Sequence, residues 1–178
     1  HADAKVDSSA TQASVRMGHQ VGDIARHRYD PTGCGHLIDI NKDGFEQALS
    51  QSQHWLQQAD APVFEMGFRA AGVLAFADVM LPVQTEGGTP AWRMVEVKSS
   101  TSVKGYHRED IAIQTYVARQ AGVAVQSVAL AYIDTNWTYP GNGNYNGLLT
   151  EVDLTADASD LEADVISWIS DAAEIVTK

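Results

Sequence analysis

Val73-Leu-Ala-Phe-Ala-Asp-Val-Met-Leu81 and Ala91-Trp-Arg-Met-Val-Glu-Val-Lys98 are two apolar runs of strand length, each carrying charge where a buried strand has no use for it. Gly87-Gly88-Thr-Pro90 between them is a turn signal, so the pair reads as a hairpin with a long loop. Side chains alternate faces along a strand. That places Phe76, Asp78 and Met80 on one face, and Trp92, Met94, Glu96 and Lys98 on one face of the next run. Closing the hairpin symmetrically about Gly87 pairs residues whose numbers sum to 174 and sets Asp78 opposite Glu96. Their Cβ atoms would lie about 5 Å apart.

Two carboxylates that close repel each other unless a cation lies between them. An all-oxygen site of this kind suits Mg²⁺ or Mn²⁺ rather than a soft metal. A lysine beside it can orient an attacking water or stabilise charge on a phosphoryl group, so Asp78, Glu96 and Lys98 point to metal-assisted phosphodiester hydrolysis. The competing reading is a structural Asp78–Lys98–Glu96 triad at a sheet edge, where Lys and Glu are common. Central strands would favour the metal, because desolvation makes a buried triad a poor stabiliser.

Outward from the hairpin, residues 11–28 place Met17, Val21, Ile24 and Ala25 at helical spacing, and Pro31 stops the segment. A second helix is expected from Asp43 to Gln58, with Phe45, Ala48, Leu49 and Leu56 inward, and a short strand from Pro62 to Phe68. After the hairpin come a helix from Arg108 to Gln120 ended by Gly122, and a strand from Val123 to Ile133. Strand, helix and strand in that order imply a parallel crossover. Residues 140–147 are turn-rich, and 158–176 read as an amphipathic helix with Leu161, Val165, Trp168, Ile169, Ala172 and Val176 on one stripe. The expectation is a single α/β domain over 1–178, a mixed central sheet flanked by helices.

Composition narrows the classes. With 178 residues, 44% hydrophobic and 20% charged, the chain can bury one core unaided. No apolar run approaches about 18 residues, so no membrane-spanning helix is expected. Cys34 is the lone cysteine, which excludes a disulfide framework within the chain and makes a reduced cytoplasm the simpler compartment. The net charge of −11 argues against nucleic-acid binding through overall charge. It is uneven, however: residues 151–178 carry −7, and residues 93–108, with Arg93, Lys98, Lys104 and Arg108 against Glu96, carry +3.

Asp78 followed by Glu96-Val97-Lys98 resembles the D…(D/E)-x-K signature of the PD-(D/E)XK nuclease superfamily. The longer stretch Val95-Glu-Val-Lys-Ser-Ser-Thr-Ser-Val-Lys-Gly-Tyr-His-Arg-Glu-Asp-Ile-Ala-Ile-Gln-Thr-Tyr-Val117 is similar to the RecB-like nuclease domain at the front of a family of larger bacterial proteins. The resemblance covers most of residues 15–155. It implies a restriction-endonuclease-like fold and a Mg²⁺- or Mn²⁺-dependent deoxyribonuclease, exonuclease-like on DNA ends or single strands. It also implies a link to DNA repair and a missing C-terminal domain or partner protein, with this chain as either a fragment of a longer one or a minimal version.

By the same resemblance Asp78 and Glu96 bind the metal, the Val97 carbonyl adds a ligand and Lys98 is the catalytic lysine. Gln114 matches the glutamine of the RecB-like Q-x-x-x-Y pattern, although Tyr116 stands two residues on rather than four. Read from the helix alone, Gln114 falls in the sheet-facing stripe Ile111, Gln114, Ala118, Ala121 and needs a polar partner, such as a backbone edge. Glu65 corresponds to an acidic residue of the preceding strand, either a further ligand or an exposed strand glutamate. The pattern departs in the first helix: many relatives have G-x-x-x-H, and here Gly18 is followed by Gly22 at the histidine position. His19 is one turn earlier on nearly the same face, as a substitute ligand or an ordinary surface histidine.

Lys104, His107 and Arg108 follow the motif at a helix start and read as a phosphate-contacting edge or a solvated loop. Tyr106 beside them is placed to stack on a base, and Trp137-Thr-Tyr139-Pro140 reads as a lid over the core edge. The rival to a nuclease is a catalytically silent nucleic-acid-binding or scaffolding module of the same fold.

Overall fold

The structure, a computed structural model, describes residues 9–176. Its elements are α1 (Ser9–Tyr29), β1 (His36–Leu37), α2 (Ile40–Asp43), α3 (Phe45–Gln58), β2 (Val63–Ala70), β3 (Val73–Val83), β4 (Ala91–Val97), α4 (Gly105–Gln120), β5 (Val125–Ile133), β6 (Leu149–Asp153), α5 (Thr155–Asp160) and α6 (Glu162–Val176). One six-stranded mixed sheet runs in the order β1-β2-β3-β4-β5-β6, with helices packed against it: an α/β fold of the expected kind.

β2 and β3 join through Ala71 and Gly72, both at positive φ, the twist that tight hairpins favour. At mid-hairpin, a Cβ on Gly67 would sit 2.7 Å from the Phe76 ring, so that ring closes over the strand only because residue 67 has no side chain. The β3–β4 register pairs Val79 with Val95 and Met80 with Met94, the spacing expected from symmetry about Gly87. β4 and β5 pair in parallel across the α4 crossover.

Two strands escape the sequence reading. β1 has only two residues and is held by parallel pairing of His36 with Val63. β6 lies between the turn-rich residues 140–147 and the closing helix, where the sequence predicts no element and pairing of Leu149–Asp153 with β5 supplies what local propensity does not. The helix expected over Asp43–Gln58 is α3, preceded by a short unexpected helix: Asp39 caps α2 by accepting from the Asn41 and Lys42 amides, and Gly44 at φ 78° turns the chain into α3. The closing helix is split at Leu161 into α5 and α6.

One core, between the sheet and α3, α4 and α5, contains Met66, Phe68, Met80, Trp92, Met94, Ile111 and Leu154. The other side, under α1, holds two smaller clusters, one with Phe64, Val79 and Val95 and one with Val21, Ala25 and Leu149. The expected inward sets are partly filled. Met17 and Phe45 are exposed, and of the α6 stripe Val165 is buried while Trp168 and Ala172 are exposed. The Val176 side chain lies outside the described residues. Among the described residues no helix is long and apolar enough to cross a membrane.

Candidate active site

β3 and β4 are the third and fourth of six strands, so Asp78 and Glu96 stand on central strands and the sheet-edge premise of the structural triad fails. One step beyond the Val79–Val95 pair, the ladder opens: the Asp78 carboxylate, not a backbone carbonyl, accepts the Val97 N–H at 2.7 Å. On the other side, Phe64 pairs with Val79 and Met66 with Ala77, which leaves Glu65 opposite Asp78 without a ladder pair. Glu65 has φ 59°, a left-handed conformation that costs a non-glycine residue about 1–2 kcal/mol and tends to persist at functional sites. Glu65, Asp78 and Glu96 therefore form one row across three adjacent strands.

The same irregularity corrects a sequence expectation. Ala77 and Met80 belong to one core and Val79 to a cluster under α1, so strict alternation does not run through Asp78. Phe76, Asp78 and Met80 are not a simple face.

Glu96 is buried, with 4% of its surface exposed. Burial raises its pKa first and the charge of Asp78 adds to this, against the opposing pull of the Lys98 ammonium and the Gln114 amide. Asp78 is also raised, chiefly by burial, although the Val97 N–H and the Lys98 ammonium favour its anion. The charge of Asp78 thus holds back the ionisation of Glu96. Glu65, though exposed as a residue, is raised by desolvation of its carboxyl and by Glu96. Lys98 donates to Glu96 Oε1 at 2.8 Å and lies 3.8 Å from Asp110. Burial works against its charge, but Glu96, Asp78 and Asp110 outweigh it and hold the ammonium above its ordinary range.

Two buried acceptors here have no hydrogen-bond partner, Glu96 Oε2 and Gln114 Oε1. Gln114 does not bond the backbone edge that a packing role would require. Its amide lies against Glu96. Buried acceptors left open are rare and call for a water or an ion. Oxygen donors with one orphaned carboxylate atom fit a hard divalent cation held by Asp78, Glu96 and the Val97 carbonyl. Among the described residues, however, no three His, Cys, Asp or Glu side chains gather closely enough to hold a metal by themselves.

A cavity of about 250 Å³ opens beside the row, walled by Glu65, Asp78, Val97 and Lys98 and by Gly18 and Gly22 of α1. Glu96 and Gln114 lie outside that lining. His19 is exposed and is not in the wall, so it does not substitute for a histidine at position 22. A Cβ on Gly22 would meet nothing within 4 Å, leaving that side of the site open.

The basic segment is mostly spent internally. His107 is buried and its Nδ1 accepts the Lys104 N–H at 3.1 Å, capping α4, which removes it from a phosphate edge. Arg108 pairs with Asp157 and ties α4 to α5, and Arg93 pairs with Glu151. Lys104 and Tyr106 remain exposed at the α4 start.

The sequence reading set Gly22 of α1 beside the metal but missed Asp110 beside Lys98 and the wall that α1 forms as a whole. The signal for that wall was present in Gly18, Val21, Gly22 and Ala25, a single helical face of small residues.

No family model and no curated protein matches the chain. Among solved structures, the crystal structure of a protein called SSO0001 is similar at 16% identity, over 88% of this chain and 70% of that one, with a TM-score of 0.31. Likeness at that level carries no argument about fold or function.

Proposed function

We propose that the chain is a Mg²⁺- or Mn²⁺-dependent deoxyribonuclease of the RecB-like type, acting on DNA ends or single strands. The observation that supports this best is the convergence, on two central strands, of two buried carboxyls whose pKa values burial raises, a paired lysine and an orphaned carboxylate oxygen. Asp78 and Glu96 are the ligands, with the Val97 carbonyl. When bound, the cation supplies Lewis-acid stabilisation of the phosphate and a more acidic water. Lys98, kept charged by Glu96 and Asp110, is held at the cavity wall to orient the attacking water and stabilise developing negative charge. Gln114 fixes Glu96 from behind, and Glu65 sits across the cavity from α1 as a rim carboxylate.

The test is cleavage of labelled single- and double-stranded DNA by the wild type in Mn²⁺, Mg²⁺ or EDTA. Metal-dependent loss of substrate is expected, and folded protein that cuts nothing in any metal would overturn the reading. A silent nucleic-acid-binding module is the second reading. The open position at Gly22 and the internal pairing of Arg93 and Arg108 favour it. Binding that ignores chelator, without cleavage, would select it.

A further inference from the structure

α1 has a second flank that the reading above leaves unused. A cavity of about 690 Å³ lies between Ile24, His27 and Arg28 of the helix and Asn144, Tyr145 and Asn146 of the β5–β6 connection, a volume in the range of ligand pockets. That connection carries three rings packed on one another. Trp137 lies 5.8 Å from Tyr139 and 6.1 Å from Tyr145, and the two tyrosines stack at 5.2 Å. Tyr139 and Tyr145 are nonetheless 48% and 44% exposed, so the rings do not serve as a lid over the core.

The platform is fixed rather than loose. Trp137 Nε1 donates to the Asn146 carbonyl at 2.8 Å, the Gly143 N–H donates to the Tyr139 hydroxyl at 2.7 Å, and the Asn146 N–H donates to Asn144 Oδ1 at 3.0 Å. Asn142 and its glycine neighbours 141 and 143 take positive φ to fold the loop back on itself. Half-exposed rings held in place by the backbone, with amide side chains beside them, match what a nucleobase needs: a stacking face and edge partners.

The local charge is basic in a chain of net −11: α1 carries Arg16, Arg26 and Arg28 against Asp23, with His19 and His27 in addition, although Arg26 pairs with Asp23 and Arg28 with Glu151. The helix separates the two cavities: Gly18, Gly22 and Ala25 face the carboxylates, whereas Ile24, His27 and Arg28 face the rings. A helix is about 10 Å thick, so a single strand lying over α1 reaches from one cavity to the other within a few nucleotides. Bases in a duplex are stacked and hidden, and cannot use such a platform.

We propose that the cleft between α1 and the β5–β6 connection is a stacking subsite for a base of single-stranded nucleic acid, with Tyr145 as the platform and Tyr139 behind it. This rests on nucleic acid being the ligand and not on cleavage. The experiment is fluorescence anisotropy of a labelled oligo-thymidine titrated with full chain in EDTA. Replacing Tyr145 by Ala should weaken binding by about 5- to 100-fold. Tyr145→Phe should retain wild-type affinity, as should Trp168→Ala, which removes an exposed ring on α6. Melting temperatures establish that each variant is folded. Oligonucleotide binding that depends on Tyr145 supports the subsite even if Mn²⁺ elicits no cutting. Equal affinity of folded Tyr145→Ala and wild type, preference for duplex, or no oligonucleotide binding by wild type overturns it.

Discussion

Glu96 is the residue on which most of the account rests, because it is buried, paired on one oxygen and orphaned on the other. Its pKa is raised on folding, so the unfolded chain ionises first as pH rises above the ordinary carboxylate range. The folded state then binds more protons, and stability falls with pH until Glu96 itself ionises. In EDTA, Glu96→Gln should melt with wild type at about pH 5 and a few degrees above it at about pH 9. A constant gap across that range would show that Glu96 ionises without penalty. Glu96 and Lys98 were legible from alternation and Asp78 from symmetry about Gly87, although the alternation assumed through Asp78 does not hold. The left-handed Glu65 was not, since φ there is set by an opened ladder and not by residue type.

At the scale of elements, α1 and α4 decide what the site can reach. Gly22 faces the cavity with free space around its missing Cβ. Gly22→His should therefore fold, gain helix propensity, and bind Mn²⁺ at least about ten-fold more tightly by calorimetry. Unchanged affinity in a folded variant would place the metal elsewhere. Arg108, by contrast, is committed to Asp157. Arg108→Ala should cost about 0.5–1 kcal/mol in a thermal melt, modest because both side chains are partly solvated, and leave oligonucleotide affinity unchanged. A selective loss of affinity would return Arg108 to the phosphate edge. Helix α4 and its end at Gly122 were readable from periodicity, but the internal use of Arg108 and His107 was not. Charge in sequence does not reveal which acid a basic side chain meets.

Across the whole molecule, the layered α/β arrangement follows from periodicity and from the crossover rule, whereas the central placement of the charged strands, open in the sequence, comes from the sheet order. What escaped is structure made by pairing alone: β1 with two residues, and β6 emerging from a turn-rich stretch. β6 has a consequence for assembly, because its Glu151 accepts from Tyr29 at 2.5 Å and pairs with Arg93, fastening α1 against the sheet. Loosening that contact should move the Gly18–Gly22 wall without touching a ligand. Glu151→Ala is expected to lower the melting temperature by several degrees and to weaken Mn²⁺ binding, both measurable on one sample. Destabilisation with full metal affinity would mean that α1 does not shape the site.

The most direct measurement pairs Mn²⁺ calorimetry with cleavage of labelled single-stranded DNA, for wild type, Asp78→Asn and Lys98→Ala. The account predicts that wild type binds and cuts, that Asp78→Asn loses metal and cleavage together, and that Lys98→Ala retains metal while its cleavage falls by about 100-fold or more. Cleavage that survives in folded Lys98→Ala, or metal affinity untouched by Asp78→Asn, would contradict it.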